Sequence, residues 1–404
     1  MTGTAIAQAI PIGISPILTR IYTPDNFGVF AIFFSITTIF GTIASARYEL
    51  AVMLPEREED AINIFALGFI INCTLTLLLT LLVIIFNSNF VELLGNEKIG
   101  IWLYFIPISV FFTGFFNLLS FFNNRNKYYK DIASATVVKS IILAFVQLTF
   151  SIFKKGAGGL ILGQIVSNMF ANIRLLKNVF RNKQIVSHIS IVNMKIMAIR
   201  YKKFPKYSLW GALSNSLSQN LSNILISSFF SLTTLGFYSL ISRVLGIPSS
   251  LIGNSVGQVF FQEATIEKQK TGLATKTFNK TIKKLITLGL PFFLILYFII
   301  EEVFAFVFGA EWRIAGVYAS IIIPLFFFRF VVVTVSNLNN IFELQKLALI
   351  WQIILLILSI LCFYIADKYQ FNFREFLTLF TIVTSTHYVF LFFILRSVSL
   401  KGKL

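Results

Sequence analysis

Residues 61–86 read AINIFALGFIINCTLTLLLTLLVIIF, without one charged side chain, and their only strongly polar amides are Asn63 and Asn72. A helix rises about 1.5 Å per residue, so about 20 residues cross a hydrocarbon core of about 30 Å, and this run is longer than that. The same texture recurs in both directions along the 404-residue chain. Apolar runs between polar breaks predict membrane spans at 2–18, 27–46, 61–86, 100–122, 132–153 and 158–176, then at 207–230, 234–261, 285–308, 316–340, 347–366 and 376–395. Between the two sets lies 177–206, a basic, partly amphipathic stretch that cannot span. The expected fold is therefore an all-α polytopic membrane protein of about 12 transmembrane helices in two six-helix lobes. Residues 1–176 would form the first lobe, 177–206 a linker and 207–404 the second.

Composition agrees. Hydrophobic residues make up 56% of the chain and charged ones 13%, against about a quarter charged in ordinary soluble domains. Cys73 and Cys362 both fall in apolar runs, with no metal-ligand spacing. The first run lacks a basic leader and is interrupted by Gly3, Gln8, Pro11 and Pro16, so it is expected to stay as a helix and not to be cleaved as a signal.

The net charge of +17 has a topological reading. If the N-terminus is cytoplasmic, most Lys and Arg fall in inside loops: Arg47, Arg57, Arg125, Lys127, Lys130, the run from Arg174 to Lys206, the run from Lys268 to Lys284, and the C-terminal tail. Outside loops hold few, as the retention of basic loops in the cytoplasm requires. Both termini are then cytoplasmic, and nucleic-acid binding is not needed to explain the charge.

The halves resemble each other. A shift of 208 residues sets Asp25-Asn26-Phe27-Gly28-Val29-Phe30 on Thr233-Thr234-Leu235-Gly236-Phe237-Tyr238, and sets Thr4, Gln8, Pro11 and Ser15 on Ala212, Ser216, Gln219 and Asn223. Six spans separate the copies, which predicts parallel repeats.

Charge inside the hydrocarbon costs about 2.5–3.5 kcal/mol at a helix centre on insertion scales, so such residues usually face a wet interior. Three cations fall inside predicted spans: Lys139, Arg243 and Arg329. Arg243 continues along one helical face through Ser250, Asn254 and Gln258. The seventh span is the most polar, with Asn215, Gln219 and Asn223 among closely spaced serines, a pattern of a water-lined wall or of hydrogen bonds between helices. No acidic residue occupies the centre of a predicted span. Such an interior favours a negatively charged passenger, because guanidinium groups fit phosphate oxygens. Prolines 11, 16, 107, 248, 291 and 324 lie in or near spans, where each can kink its helix. No catalytic constellation or phosphate-binding loop is present.

Several short motifs, in order, carry a family resemblance: Ser15-Pro16-Ile17-Leu18-Thr19-Arg20-Ile21-Tyr22-Thr23-Pro24, Phe27-Gly28-Val29-Phe30, Arg47-Tyr48-Glu49-Leu50-Ala51-Val52-Met53-Leu54-Pro55, Phe204-Pro205-Lys206-Tyr207, Leu235-Gly236-Phe237-Tyr238, Arg243-Val244-Leu245-Gly246-Ile247-Pro248, Gly257-Gln258-Val259-Phe260-Phe261-Gln262-Glu263 and Phe308-Gly309-Ala310-Glu311-Trp312. Over nearly its whole length the chain resembles the Wzx-type polysaccharide flippases. That resemblance implies a MATE-like fold of the MOP superfamily in the bacterial inner membrane. The implied substrate is an undecaprenyl-pyrophosphate-linked oligosaccharide, moved to the periplasmic leaflet for O-antigen or capsule assembly. It implies membrane lipid and other polysaccharide-assembly membrane proteins as partners, and no cofactor beyond a coupling H+ or Na+. Family members usually carry several more residues before Thr2-Gly3-Thr4, so the first helix is expected to be short. Arg243, Arg329 and Lys139 are the expected phosphate or acidic-sugar ligands. Arg47 comes from a family-like motif, and Asn215, Gln219, Asn223, Asn254 and Gln258 are expected sugar contacts. The alternatives are a cation-coupled multidrug exporter of the MATE type, a membrane glycosyltransferase or polymerase, and a structural scaffold.

Overall fold

A computed structural model of the protein describes residues 2–153, 156–181 and 186–402, and among them there is no strand. The principal helices are α1 (Thr2–Ile21), α2 (Pro24–Ile43), α3 (Glu58–Leu94), α4 (Ile106–Arg125), α5 (Tyr129–Phe150), α6 (Gly158–Arg181), α7 (Ile191–Arg200), α8 (Leu209–Phe229), α9 (Leu232–Leu245), α10 (Asn254–Thr271), α11 (Thr275–Phe308), α12 (Arg313–Val335), α13 (Gln345–Lys368) and α14 (Phe373–Lys401). Every predicted span corresponds to one of these helices, or to the α9–α10 pair. Among the described residues nine helical stretches are long and apolar enough to cross a membrane, and the α9–α10 pair, bent by 40°, makes a tenth. The remaining two predicted spans are α1, whose apolar part is short (Ile6–Ile21), and α8, whose amides and serines dilute its hydropathy.

Local chemistry fixes several helix ends. The Thr23 side chain accepts from the Asn26 amide ahead of Pro24 at the first position of α2, the arrangement that satisfies an orphan donor and presets φ. Gly95 ends α3 in the left-handed conformation at φ 68°, where glycine carries no Cβ penalty. Asn372 and Glu375 form a reciprocal capping box on α14.

Two spans differ from their sequence boundaries. α3 continues past Phe86, the one residue in it with non-helical φ/ψ, to Leu94. α11 begins at Thr275, inside what the basic run 268–284 marks as a loop. Its N-terminus is capped from outside: the Glu267 carboxylate accepts the Lys276 and Thr277 amides at 2.9 and 2.7 Å, and Phe278 and Ile282 are buried. A carboxylate there satisfies orphan amides and meets the positive end of the helix dipole.

The chain groups into two compact units, 1–235 and 236–404. In the first, α5 packs along α6 and α1, α4 along α6, α3 and α2, and α8 along α2. α8 opens the second half by repeat and groups with the first unit by contact. Lipid gives helices no hydrophobic reason to associate, so small residues and interhelical hydrogen bonds matter. Tyr22 donates to the Gln147 carbonyl at 2.7 Å, Asn172 to that of Phe112 at 2.9 Å, Asn72 to that of Phe111 at 3.0 Å, and Asn178 to the Asn123 amide oxygen at 2.6 Å. In the second unit α12 packs against α11 and α14. Gly316 rests on the α11 backbone at Glu301, and further along the same helix pair the rings of Phe293, Phe327 and Phe330 interlock, with Phe327 and Phe330 packed on Gly289.

Candidate functional site

The first unit carries five of the sequence-predicted site residues. Lys139, on α5, is half-buried, with its ammonium 5.1 Å from the centroid of the Phe116 ring on α4. Among the described residues it has no carboxylate within ion-pair distance. The next residue, Ser140, donates to the Ala7 carbonyl of α1 at 2.7 Å, so Lys139 sits where α1, α4 and α5 meet. Arg47 is different. It holds a left-handed conformation at φ 67°, and its guanidinium pairs at 3.1 Å with Glu49, which is almost wholly buried and also accepts from Ser45. Its charge is therefore matched within the turn between α2 and α3.

The polar side chains of α8 divide between packing and exposure. Asn223 donates to the Ser35 hydroxyl of α2 at 2.9 Å, whereas Asn215 and Gln219 are exposed and bonded to each other at 3.2 Å. Near the turn into α9, Asp25 accepts from Lys98 at 2.6 Å and from the Thr233 hydroxyl. Residues 25 and 233 are the pair that the 208-residue shift superimposes.

The second unit carries the other four. Arg329, in the second half of α12, is exposed and has no ion pair among the described residues. Tyr238 on α9 lies within its electrostatic reach, as Tyr388 on α14 lies within that of Tyr238, and the Tyr238 hydroxyl is hydrogen-bonded to Ser242. Arg243, half-buried, follows one residue later on α9. Five residues beyond it Pro248 opens the π-helical turn Ser249–Gly253 that breaks the α9–α10 span. Loss of a backbone donor at proline and the wide turn account for the bend. Gly253, which ends that turn, and Gly257 after it rest against Thr334 of α12. Asn254 and Gln258 stand about a quarter turn away around the helix, on its exposed side.

Arg329, Arg243, Asn254 and Gln258 thus belong to one unit, and Lys139, Asn215 and Gln219 to the other. Sequence reading missed Tyr238, which lies within the electrostatic reach of Arg329. It also missed the buried amide row Gln164, Asn168 and Asn172 on α6, although its four-residue spacing was there to be read. Asn168 is fully buried, and neither amide atom has a hydrogen-bond partner. Among the described residues no cluster of His, Cys, Asp and Glu could hold a metal ion.

A family profile described as "Polysaccharide biosynthesis protein" matches residues 17–317. No curated protein matches the chain. Among solved structures, the chain is similar to the lipid II flippase MurJ in an inward closed conformation, with 14% identity over 99% of this chain and 90% of that one, at a TM-score of 0.72. It is similar to an inward-facing multidrug resistance MATE family transporter of the MOP superfamily, with 13% identity over 99% and 95% at 0.68. A MOP superfamily transporter from Pyrococcus furiosus, described by the reverse polarity of its binding pocket, matches with 13% identity over 99% and 93% at 0.61. Identities this low carry the fold alone. With three quarters of its length matched by the profile, the chain belongs to the polysaccharide biosynthesis protein family, as a multi-pass membrane protein with the fold of the MOP superfamily.

Proposed function

We propose that the chain is a flippase that carries an undecaprenyl-pyrophosphate-linked oligosaccharide from the cytoplasmic to the periplasmic leaflet of the bacterial inner membrane, for O-antigen or capsule assembly. The observation that carries this reading is the pair of span-borne cations, Lys139 and Arg329, with no carboxylate of their own among the described residues, in a member of this family. A pyrophosphate supplies the missing anion, and guanidinium donors fit its oxygens in a fixed fork. Arg329 and Arg243 contact phosphate or acidic sugar in the second unit, and Lys139 does so in the first. The exposed amides Asn215, Gln219, Asn254 and Gln258 hydrogen-bond sugar hydroxyls. Arg47 and Asn223 hold the scaffold, because Glu49 and Ser35 already occupy them. The lipid tail stays in the bilayer, a proton or sodium gradient drives the cycle, and both termini are cytoplasmic.

The test is genetic and chemical. In a strain deleted for the chain, lipid-linked oligosaccharide should accumulate facing the cytoplasm and surface glycan should be lost. Restoring the wild type should recover display, and restoring Arg243→Ala or Arg329→Ala at equal membrane levels should not. Undiminished glycan in the deletion strain overturns the function; full display by both variants overturns the assignment of the two arginines.

A further inference from the structure

We propose that α7 is a membrane-surface helix that binds anionic phospholipid headgroups at the face of the bilayer where α3 begins. One side of this ten-residue helix is fixed to the first unit. Met194 and Met197 are buried, the Ala198 carbonyl accepts from the Tyr48 hydroxyl at 3.0 Å, and just ahead of the helix Asn63 of α3 bonds the His188 carbonyl and the Ser190 amide at 3.0 and 2.9 Å. Asn63 lies in the second turn of α3, after Glu58, Glu59 and Asp60 at its start. α7 therefore lies level with the end of a membrane span.

The other side of α7 is apolar and uncovered. Val192, Ile196 and Ile199 are 67%, 51% and 60% exposed, and their spacing of four and three residues puts them on one helical face. Lys195 borders that face on one side and Arg200 on the other, both exposed. Apolar side chains between basic ones at the edge of a bilayer match an interfacial helix, whose aliphatic face enters the acyl boundary while its cations reach headgroup phosphates. The chain continues in the same manner: Lys202, Lys203 and Lys206 are exposed, as are the rings of Tyr207 and Trp210, the residue types that settle at headgroup level. Residues 191–210 contain five bases and no acid. That charge complements anionic lipid, whereas a second copy docked through the same surface would set bases against bases.

The full chain, with Cys73 and Cys362 replaced by serine and Ile196→Cys carrying an environment-sensitive fluorophore, is reconstituted into two kinds of nanodisc. One kind contains phosphatidylcholine alone, the other phosphatidylcholine with phosphatidylglycerol. The expected result is several-fold weaker quenching by aqueous iodide in the anionic discs than in the neutral ones, with strong quenching by a lipid-attached quencher. The difference between lipids should vanish at about 1 M salt, where charges are screened within about 3 Å, and in the triple variant Lys195→Glu, Lys202→Glu, Lys203→Glu. A label equally open to iodide in both discs overturns the proposal. So does equal shielding in both, which would mean apolar burial without headgroup binding, and so does shielding that appears only with two chains per disc. The readout is lipid contact, so it stands or falls separately from sugar transport.

Discussion

Gly28 offers the sharpest test of the packing around the α8–α9 turn. A methyl group in place of its hydrogen would collide with the Leu232 carbonyl oxygen and lie 2.8 Å from the carbonyl carbon. The obstacle is backbone, so no rotamer change relieves it, and α2 and the start of α9 must separate by roughly 1 Å. Overpacking of this kind costs about 1–3 kcal/mol, and an unyielding carbonyl puts Gly28→Ala at the upper end. Replacing a helical glycine by alanine returns about 0.5–1 kcal/mol, which leaves a net loss of about 2 kcal/mol. Gly211 is the control: a Cβ there meets nothing within 4 Å, so Gly211→Ala should keep the propensity gain. Thermal unfolding in detergent, followed by a thiol-reactive dye that reaches the buried Cys362 only on unfolding, should place Gly28→Ala several degrees below wild type and Gly211→Ala at or above it. Equal midpoints for the two variants would refute the close approach of α2 to Leu232.

Glu49→Ala should destabilise by up to about 3 kcal/mol, the low end for removing one partner of a buried ion pair, because Arg47 keeps 23% side-chain exposure and can reach water; the same dye assay measures it. Asp25→Ala removes an ion pair whose partners are 63% and 32% exposed, so its cost should stay within about 0.2–1 kcal/mol. A double-mutant cycle with Lys98→Ala should return a coupling in that range, shrinking at high salt.

The apolar runs were enough to place the spans, because a bilayer demands continuous helix with every backbone group satisfied internally. What escaped reading depended on partners distant in sequence or on local breaks. The cap on α11 comes from Glu267, outside the helix, so residues 275–284 looked like a basic loop. The α9–α10 span looked continuous, although Gly246 and Pro248 stand in it, because proline is common in membrane helices and its consequence depends on neighbours. Arg47 looked like a ligand because it is a cation in a family-like motif, yet its partner stands two residues away. The polar face of α8 was legible, but its division was not: only the packing on α2 separates Asn223, bound to Ser35, from the exposed Asn215 and Gln219.

That pairing of Arg47 with Glu49 sharpens the electrostatic argument. Glu49 is the one acidic residue buried among the described residues, and its charge is already answered. Among the described residues, Lys139 and Arg329 therefore remain as span-borne cations with no carboxylate in ion-pair distance. A cationic passenger would have to approach them without a carboxylate to offset repulsion. An anionic one gains at each: two unit charges 4 Å apart attract by about 4 kcal/mol at an effective dielectric constant of 20. On the proposed function, selectivity by sign would rest on the lack of a carboxylate partner at these two positions. Reversing the charge at the exposed Arg329 itself, as in Arg329→Glu, should on that function abolish glycan display while leaving the folded protein in the membrane.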